Sequence, residues 1–386
     1  MLSSEKNHET SGEITKNDVA TQMIQLNIDY DIDNWHFQAT PFGYIYNVKG
    51  KDTIKNPNFR DPYPTTDWWF RSLYFTYTWD KLSLGAGVLP FSNTAPTKFN
   101  DDFVEDGEGV LLINDSVLTA VFGIYKDGNY RTIFGIGSPD ELIVDNGNYV
   151  DNHLREDGFS VFLINTFKED KLEVTSQFIW NSVEYDGVKF LDNTNIGVNV
   201  SWDDSVDSGW SFYGSLAGSE YRSDARKAEK EIYNVVFKDN PYGMSGLQYG
   251  RLVESLYPEN FGMDKQKLYG AASLLGFRKD FNIGKEDFFV NGEWTHMYGD
   301  YLSGSQGSFY TAKNNQVASI RDDAYYIQLG YIFNNDLRFR VSYTVVEIEE
   351  TGIIGAPAAT IPTSQTVRPE KVDKVETINF IMTYKF

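Results

Sequence analysis

Most clearly towards its two ends, the chain alternates apolar and polar residues with a period of two, the signature of an extended strand with two unlike faces. In the last thirteen residues, Lys374 to Phe386, Ile378, Phe380, Met382, Tyr384 and Phe386 fall on one face. Thr377, Asn379, Thr383 and Lys385 fall on the other, with Ile381 the apolar exception. Leu337, Phe339, Val341, Tyr343 and Val345 alternate with Arg338, Arg340, Ser342 and Thr344. Ile24, Leu26, Ile28 and Tyr30 alternate with Gln25, Asn27, Asp29 and Asp31. Similar alternation runs through Leu73–Trp79, Ile196–Trp202 and Tyr325–Phe333. Between Val117 and Tyr125, and between Phe159 and Phe167, both faces are apolar, which fits strands bordering a subunit interface or facing a packed interior loop.

Alternation and turn signals predict strands near 21–31, 35–46, 68–79, 82–90, 116–126, 129–138, 158–168, 171–182, 193–203, 209–220, 266–281, 286–299, 321–334, 336–349 and 372–386. Their connections alternate in length. Short turns such as Trp79-Asp-Lys81, Lys126-Asp-Gly-Asn129 and Asn282-Ile-Gly-Lys285 separate long polar stretches near 47–67, 91–115, 139–157, 183–192, 221–265, 300–320 and 350–371. A β-sandwich has no reason to sort its loops this way, whereas a transmembrane barrel does. The fold class expected is all-β: a transmembrane antiparallel up-and-down β-barrel with short periplasmic turns and long extracellular loops.

Parity sets the strand number. If the last strand runs towards the periplasm, so does 21–31, and an upward strand must precede it, drawn from residues 3–18 or completed by pairing with the C-terminal strand. That gives about sixteen strands, with about fourteen or eighteen also compatible with an even number. The expected organisation is a polar segment at 1–20, either partly disordered or supplying that first strand, and a single barrel domain at 21–386.

Composition narrows the picture. No stretch of about 18 apolar residues exists, and the mean hydropathy is −0.41, so no transmembrane helix is expected. Tyr (25), Phe (27) and Trp (8) are abundant enough for aromatic girdles. The net charge of −21 argues against nucleic acid, whose phosphates would be repelled. Cysteine is absent, which removes thiol catalysis, disulfides and thiolate-bound metals. The segment Met1-Leu-Ser-Ser-Glu5 has neither the basic start nor the apolar core of a signal peptide. The expectation is therefore a mature outer-membrane chain whose signal has been removed.

Candidate chemistry is sparse. His8, His36, His153 and His296 share no ligand spacing, and no G-x-S-x-G elbow occurs. No enzyme and no cofactor are expected. Asp145-Asn-Gly-Asn-Tyr-Val-Asp151 has oxygen ligands that suit Ca²⁺ but lacks the full acidic repeat of a calcium loop. Residues 91–115 mix the apolar anchors Phe99, Phe103 and Val104 with Asp101, Asp102, Glu105, Asp106 and Glu108. Folded into the lumen, such a loop rests its anchors on the wall and aims its carboxylates at the passage. Arg338, Arg340 and Lys385, on inward positions of late strands, would face it across a constriction. The loop at 221–265 opens with a charged run, Arg222 to Glu231; it reads as a solvated lid, or as a mouth lined by Arg222, Arg226 and Lys227.

Three features together resemble Gram-negative outer-membrane porins: the terminal Tyr384-Lys-Phe386, the R-S-L-Y-F-T-Y-T-W strand at 71–79 and the L-S-L-G-A-G-V-L-P strand at 82–90. The aromatic strand followed by a Gly-rich one is similar to the major outer-membrane porins of epsilonproteobacteria. The resemblance implies a homotrimer of barrels, in contact with lipid and lipopolysaccharide, through which ions and small hydrophilic solutes diffuse passively with cation preference. The weakly patterned first strand departs from it. The alternatives weighed are a channel selective for carboxylates or oxyanions along Arg338 and Arg340, and a non-conducting barrel or envelope enzyme whose loops bind a partner.

Overall fold

The computed structural model describes residues 2–9, 14–50, 65–93, 113–138, 158–185, 188–223, 266–302, 317–333, 337–354 and 372–384. Apart from turns, these residues are strand: β1 (Leu2–Glu9), β2 (Ile14–Gln25), β3 (Ile28–Ile32), β4 (Trp35–Gly50), β5 (Thr65–Trp79), β6 (Leu82–Asn93), β7 (Ile113–Asp127), β8 (Tyr130–Ser138) and β9 (Gly158–Glu169). There follow β10 (Leu172–Tyr185), β11 (Val188–Asp204), β12 (Trp210–Ser223), β13 (Gln266–Ile283), β14 (Glu286–Leu302), β15 (Val317–Ile332), β16 (Leu337–Ile354) and β17 (Val372–Tyr384).

Apart from β2, which pairs with β4, each strand pairs antiparallel with the next, and β1 pairs with both β2 and β17, so the ladder returns on itself. β2 and β3 share one partner: β2 pairs with Phe42–Gly50 of β4 and β3 with Trp35–Ala39. They are one strand interrupted at Leu26-Asn27, where the Leu26 amide donates to the Pro41 carbonyl. Seventeen segments therefore occupy sixteen positions in the ring. The upward first strand required by parity is β1, whose eight residues are mostly polar on both faces and carry no alternation. A ring of this strand number is wide enough to enclose water.

The faces are inverted relative to a soluble sheet. On β15, Tyr325, Ile327 and Leu329 are 47%, 53% and 52% exposed, whereas Tyr326 and Gln328 between them are 4% exposed each. The same holds on β17, where Ile378, Phe380 and Met382 are exposed and Asn379 and Thr383 are buried. Apolar groups point outward and polar groups inward, the arrangement that hydrocarbon outside and water inside would select.

Turns close one rim tightly. Asp33, Asp80, Asp170, Gly128, Gly209 and Gly284 all have φ between 48° and 75°. Aspartate and glycine tolerate that left-handed region, which lets antiparallel strands reverse within two residues, or within five at 205–209. Just above this rim an outward aromatic belt runs from strand to strand. Trp35 meets Tyr77 at 4.9 Å, Tyr130 meets Phe167 at 4.9 Å, and Phe288 meets Tyr331 at 5.0 Å between ring centroids. Below the belt, Lys171 bridges two turns by pairing with Asp204 and with Asp207, the latter at 2.6 Å. The hydrogen bond from Lys171 holds the Asp204 carboxyl below the usual carboxylate range.

One expected loop is strand. Residues 183–192 were read as a polar connection, but Val183 pairs with Leu191 and Tyr185 with Val188. Its two Asp and one Gly do not interrupt the pairing: β10 runs to Tyr185 and β11 begins at Val188. The other long connections lie largely outside the described residues.

Leu329→Arg should lower stability by about 2–4 kcal/mol, as a cation brought to a lipid face does; urea-driven unfolding from vesicles measures it. A carboxyl held low stabilises the fold above its unfolded pKa, and that stability is lost as pH falls through its folded value. The protection of amides 203–209, measured against intrinsic exchange at each pH, should therefore fall below the ordinary carboxylate range, and Asp204→Asn should remove this loss of protection.

Candidate functional site

The inside of the ring has two unlike arcs. Across β6 to β10, Leu89, Ala120, Phe122, Phe162 and Ile179 form a buried apolar cluster, with Tyr74, Ile124, Ile133 and Ile164 packed on it. Glycines make room for the rings. A Cβ on Gly85 would lie 2.8 Å from Phe122 Cζ, and one on Gly135 would lie 2.5 Å from Phe162 Cζ. This explains why the sequence is apolar on both faces there: the inward face builds a core of its own.

The opposite arc is polar; β8 and β16 lie half-way round the ring from each other. Register sets its side chains in level rows. One row runs Asp203, Ser211, Arg278, Asn291, Gln328, Ser342, Asn379 across β11 to β17. Ser211 Oγ donates to Asp203 Oδ1 at 2.7 Å, and Asn379 Nδ2 donates to Ser342 Oγ at 3.3 Å. Arg278 Nη2 pairs with Asp280 Oδ1 at 2.8 Å while its guanidinium lies 4.1 Å over the Phe289 ring. That double support holds the cation rigidly against the wall.

The neighbouring row, towards the long connections, runs Ser201, Tyr213, Gly276, Glu293, Tyr326. Tyr213 crosses over Gly276 and donates its hydroxyl towards Glu293 Oε1 at 2.5 Å and Asn291 Oδ1 at 3.0 Å. A Cβ on Gly276 would sit 2.2 Å from the Tyr213 ring, so the glycine is what allows this reach. One row further lie Asn199, Ser215, Leu274 and Thr295. Gln328 Nε2, Thr295 Oγ1, Ser215 Oγ, Ser201 Oγ and Gln177 Nε2 are buried with no hydrogen-bond partner among the described residues. Such atoms cost about 1–3 kcal/mol each unless a hydrogen-bonding group reaches them.

Of the residues expected at a constriction, Arg338 and Arg340 face inward on β16, below these rows. Arg340 is buried, and its Nη2 lies 2.5 Å from Thr383 Oγ1. Asp101, Asp102, Glu105, Asp106, Glu108 and Lys385 lie outside the described residues, as do the stretches 139–157 and 224–265. The sequence reading missed Tyr213, Arg278, Asn291, Glu293 and Gln328 as a group. Their signal was the inward parity of Asn291, Glu293 and Thr295 within a correctly expected strand. Among the described residues no group of three or more His, Asp or Glu could hold a metal ion.

This barrel matches solved porin structures. An anion-selective porin from Comamonas acidovorans aligns over 100% of this chain and 99% of its own, with a TM-score of 0.54 at 10% identity. Outer-membrane expressed OmpT of Vibrio cholerae aligns over 100% and 95%, with a TM-score of 0.49 at 10% identity. OpdQ of Pseudomonas aeruginosa aligns over 100% and 98%, with a TM-score of 0.42 at 12% identity. No family model matches the chain, and no curated protein matches it by sequence. At these identities the likeness to the Comamonas barrel establishes the porin fold.

Gly276→Val should lower unfolding stability by about 1–3 kcal/mol through overpacking. In a Tyr213→Ala background most of that loss should vanish, as a double-mutant cycle in urea would measure.

Proposed function

We propose that this chain is a Gram-negative outer-membrane porin, a passive pore for ions and small hydrophilic solutes. The observation that carries the reading is the inversion of faces on a closed ring: exposed apolar groups outside, buried polar groups inside. A wall of that kind requires hydrocarbon around it and favours a solvent-filled interior. The finer resemblance of residues 71–90 and the C-terminus to epsilonproteobacterial porins belongs to this reading. So do a homotrimeric state and contact with lipopolysaccharide. A pore of this type catalyses no chemical step.

Cation preference follows from where the charge is one-signed. The described wall mixes Glu293, Asp203 and Asp280 with Arg278, Arg338 and Arg340. Residues 94–112 instead carry five carboxylates against Lys98 alone. Folded inward as part of the 91–115 segment, with Phe99, Phe103 and Val104 resting on the apolar arc, this loop sets Asp101, Asp102, Glu105, Asp106 and Glu108 across from the arginines. Carboxylates in a narrow, poorly screened passage raise the local concentration of cations. The anion selectivity of the Comamonas protein is not carried over. The second reading, a path for carboxylates or oxyanions, is favoured by one feature, the three arginines gathered on the polar arc.

Reconstituted protein should conduct in planar bilayers and show a reversal potential of cationic sign in a salt gradient. Neutralising Asp101, Asp102, Glu105 and Asp106 together should lower the cation-to-anion permeability ratio. Unchanged reversal potentials would remove the loop as the filter, and saturable block by a small carboxylate, lost in Arg340→Gln, would favour the second reading.

A further inference from the structure

We propose that Lys126 and Arg131 form a binding site for small doubly charged oxyanions, such as phosphate, on the inner wall at the tight rim; it rests on the channel reading above. The two residues flank the turn at Gly128-Asn129. Lys126 continues the inward face of Phe122 and Ile124 on β7, and Arg131 that of Ile133 on β8. Register sets them directly opposite each other. Like charges in opposed positions destabilise a sheet, and nothing in the wall offsets these two. Both residues are exposed, and neither side chain has a hydrogen bond or ion pair among the described residues. Asp127, next in the chain, lies on the Tyr125 side and pairs with Lys81 at 2.6 Å. Glu173, an inward carboxylate two strands from Arg131, lies 3.7 Å from Lys168.

The chemistry of the pair names the ligand class. Opposed Cβ atoms in a sheet are about 5 Å apart, so the ammonium and the guanidinium can close on one small anion. Arginine offers two parallel N–H donors to a pair of oxygens, and lysine supplies a point charge. A dianion with several oxygens answers both, whereas chloride carries one charge and no oxygen pair for the fork. The wall beside the pair strengthens its field. Ile124 and Ile133, one inward position further from the rim, pack on the dry apolar cluster, and a low-dielectric wall focuses the potential of charges at its edge. Other inward cations are less available: Arg278 is tied to Asp280, and Arg340 is buried beside Thr383. Lys126 and Arg131 meet water at the mouth itself.

The test uses the full chain, with inorganic phosphate as the probe at mildly alkaline pH, where it is doubly charged. In lipid nanodiscs the phosphorus resonance of phosphate should broaden with a saturating dependence on its concentration. Lys126→Gln and Arg131→Gln should each raise the half-saturating concentration about fivefold, the loss of one charge-assisted contact near water. Lys126→Arg should keep the binding, and Lys285→Gln, at the turn between β13 and β14, should leave it unchanged. In planar bilayers, phosphate should shift the reversal potential of a potassium chloride gradient towards potassium by neutralising the pair, over the same concentration range. The double variant Lys126→Gln/Arg131→Gln should show no such shift. Broadening that is absent or linear in wild type, or equal in wild type and the double variant, overturns the site. Saturable phosphate binding by a barrel that carries no ion current overturns the channel reading and leaves the site standing.

Discussion

Hydrocarbon offers no hydrogen bonds, and this constraint governs the whole molecule. A backbone amide left facing lipid costs several kcal/mol, so a sheet in that medium has to end on itself. Here the join falls between β1 and β17, with Leu2 opposite Phe380 and His8 opposite Lys374. β1 contributes few apolar side chains, and its value is its backbone, which satisfies both β17 and β2. The break at Leu26-Asn27 shows the same economy: the chain leaves the ladder for two residues, yet the Leu26 amide still finds the Pro41 carbonyl.

Once the ladder is closed, space inside becomes the next constraint. Four large inward rings fit where a facing residue has no side chain: Phe122, Phe162, Tyr213 and Phe289 each lie over a glycine of an adjacent strand. On the apolar arc this produces a dry, interlocked surface. On the polar arc it lets Tyr213 stretch across a strand to Glu293 and gives Arg278 a ring to lie on. Two chemically different half-interiors thus come from one packing device.

The strands were legible in the sequence wherever lipid and solvent imposed different demands on alternate residues, as in β15, β16 and β17. β1 was not, because Ser3, Ser4, Glu5 and Lys6 carry no contrast between faces; only the parity of the remaining strands required it. Residues 183–192 misled because Asp186-Gly187 and Asp192-Asn193 look like loop while most of the segment pairs. Arg338 and Arg340 were visible as inward cations in a clear alternation. Glu293, Gln328 and Thr295 were not singled out, because any inward polar residue looks like any other until register says which share a level. Register depends on the stagger between strands, and no local pattern encodes it.

The two rims of the ring differ greatly in bulk. One is trimmed to two-residue reversals at Asp80-Lys81, Asp170-Lys171 and Gly284-Lys285, with Lys171 already neutralised by Asp204 and Asp207. The other receives connections as long as the 42 residues from 224 to 265. Chain length can therefore vary at the second rim but not at the first, because one residue added to a two-residue reversal would shift the register of the strands it joins.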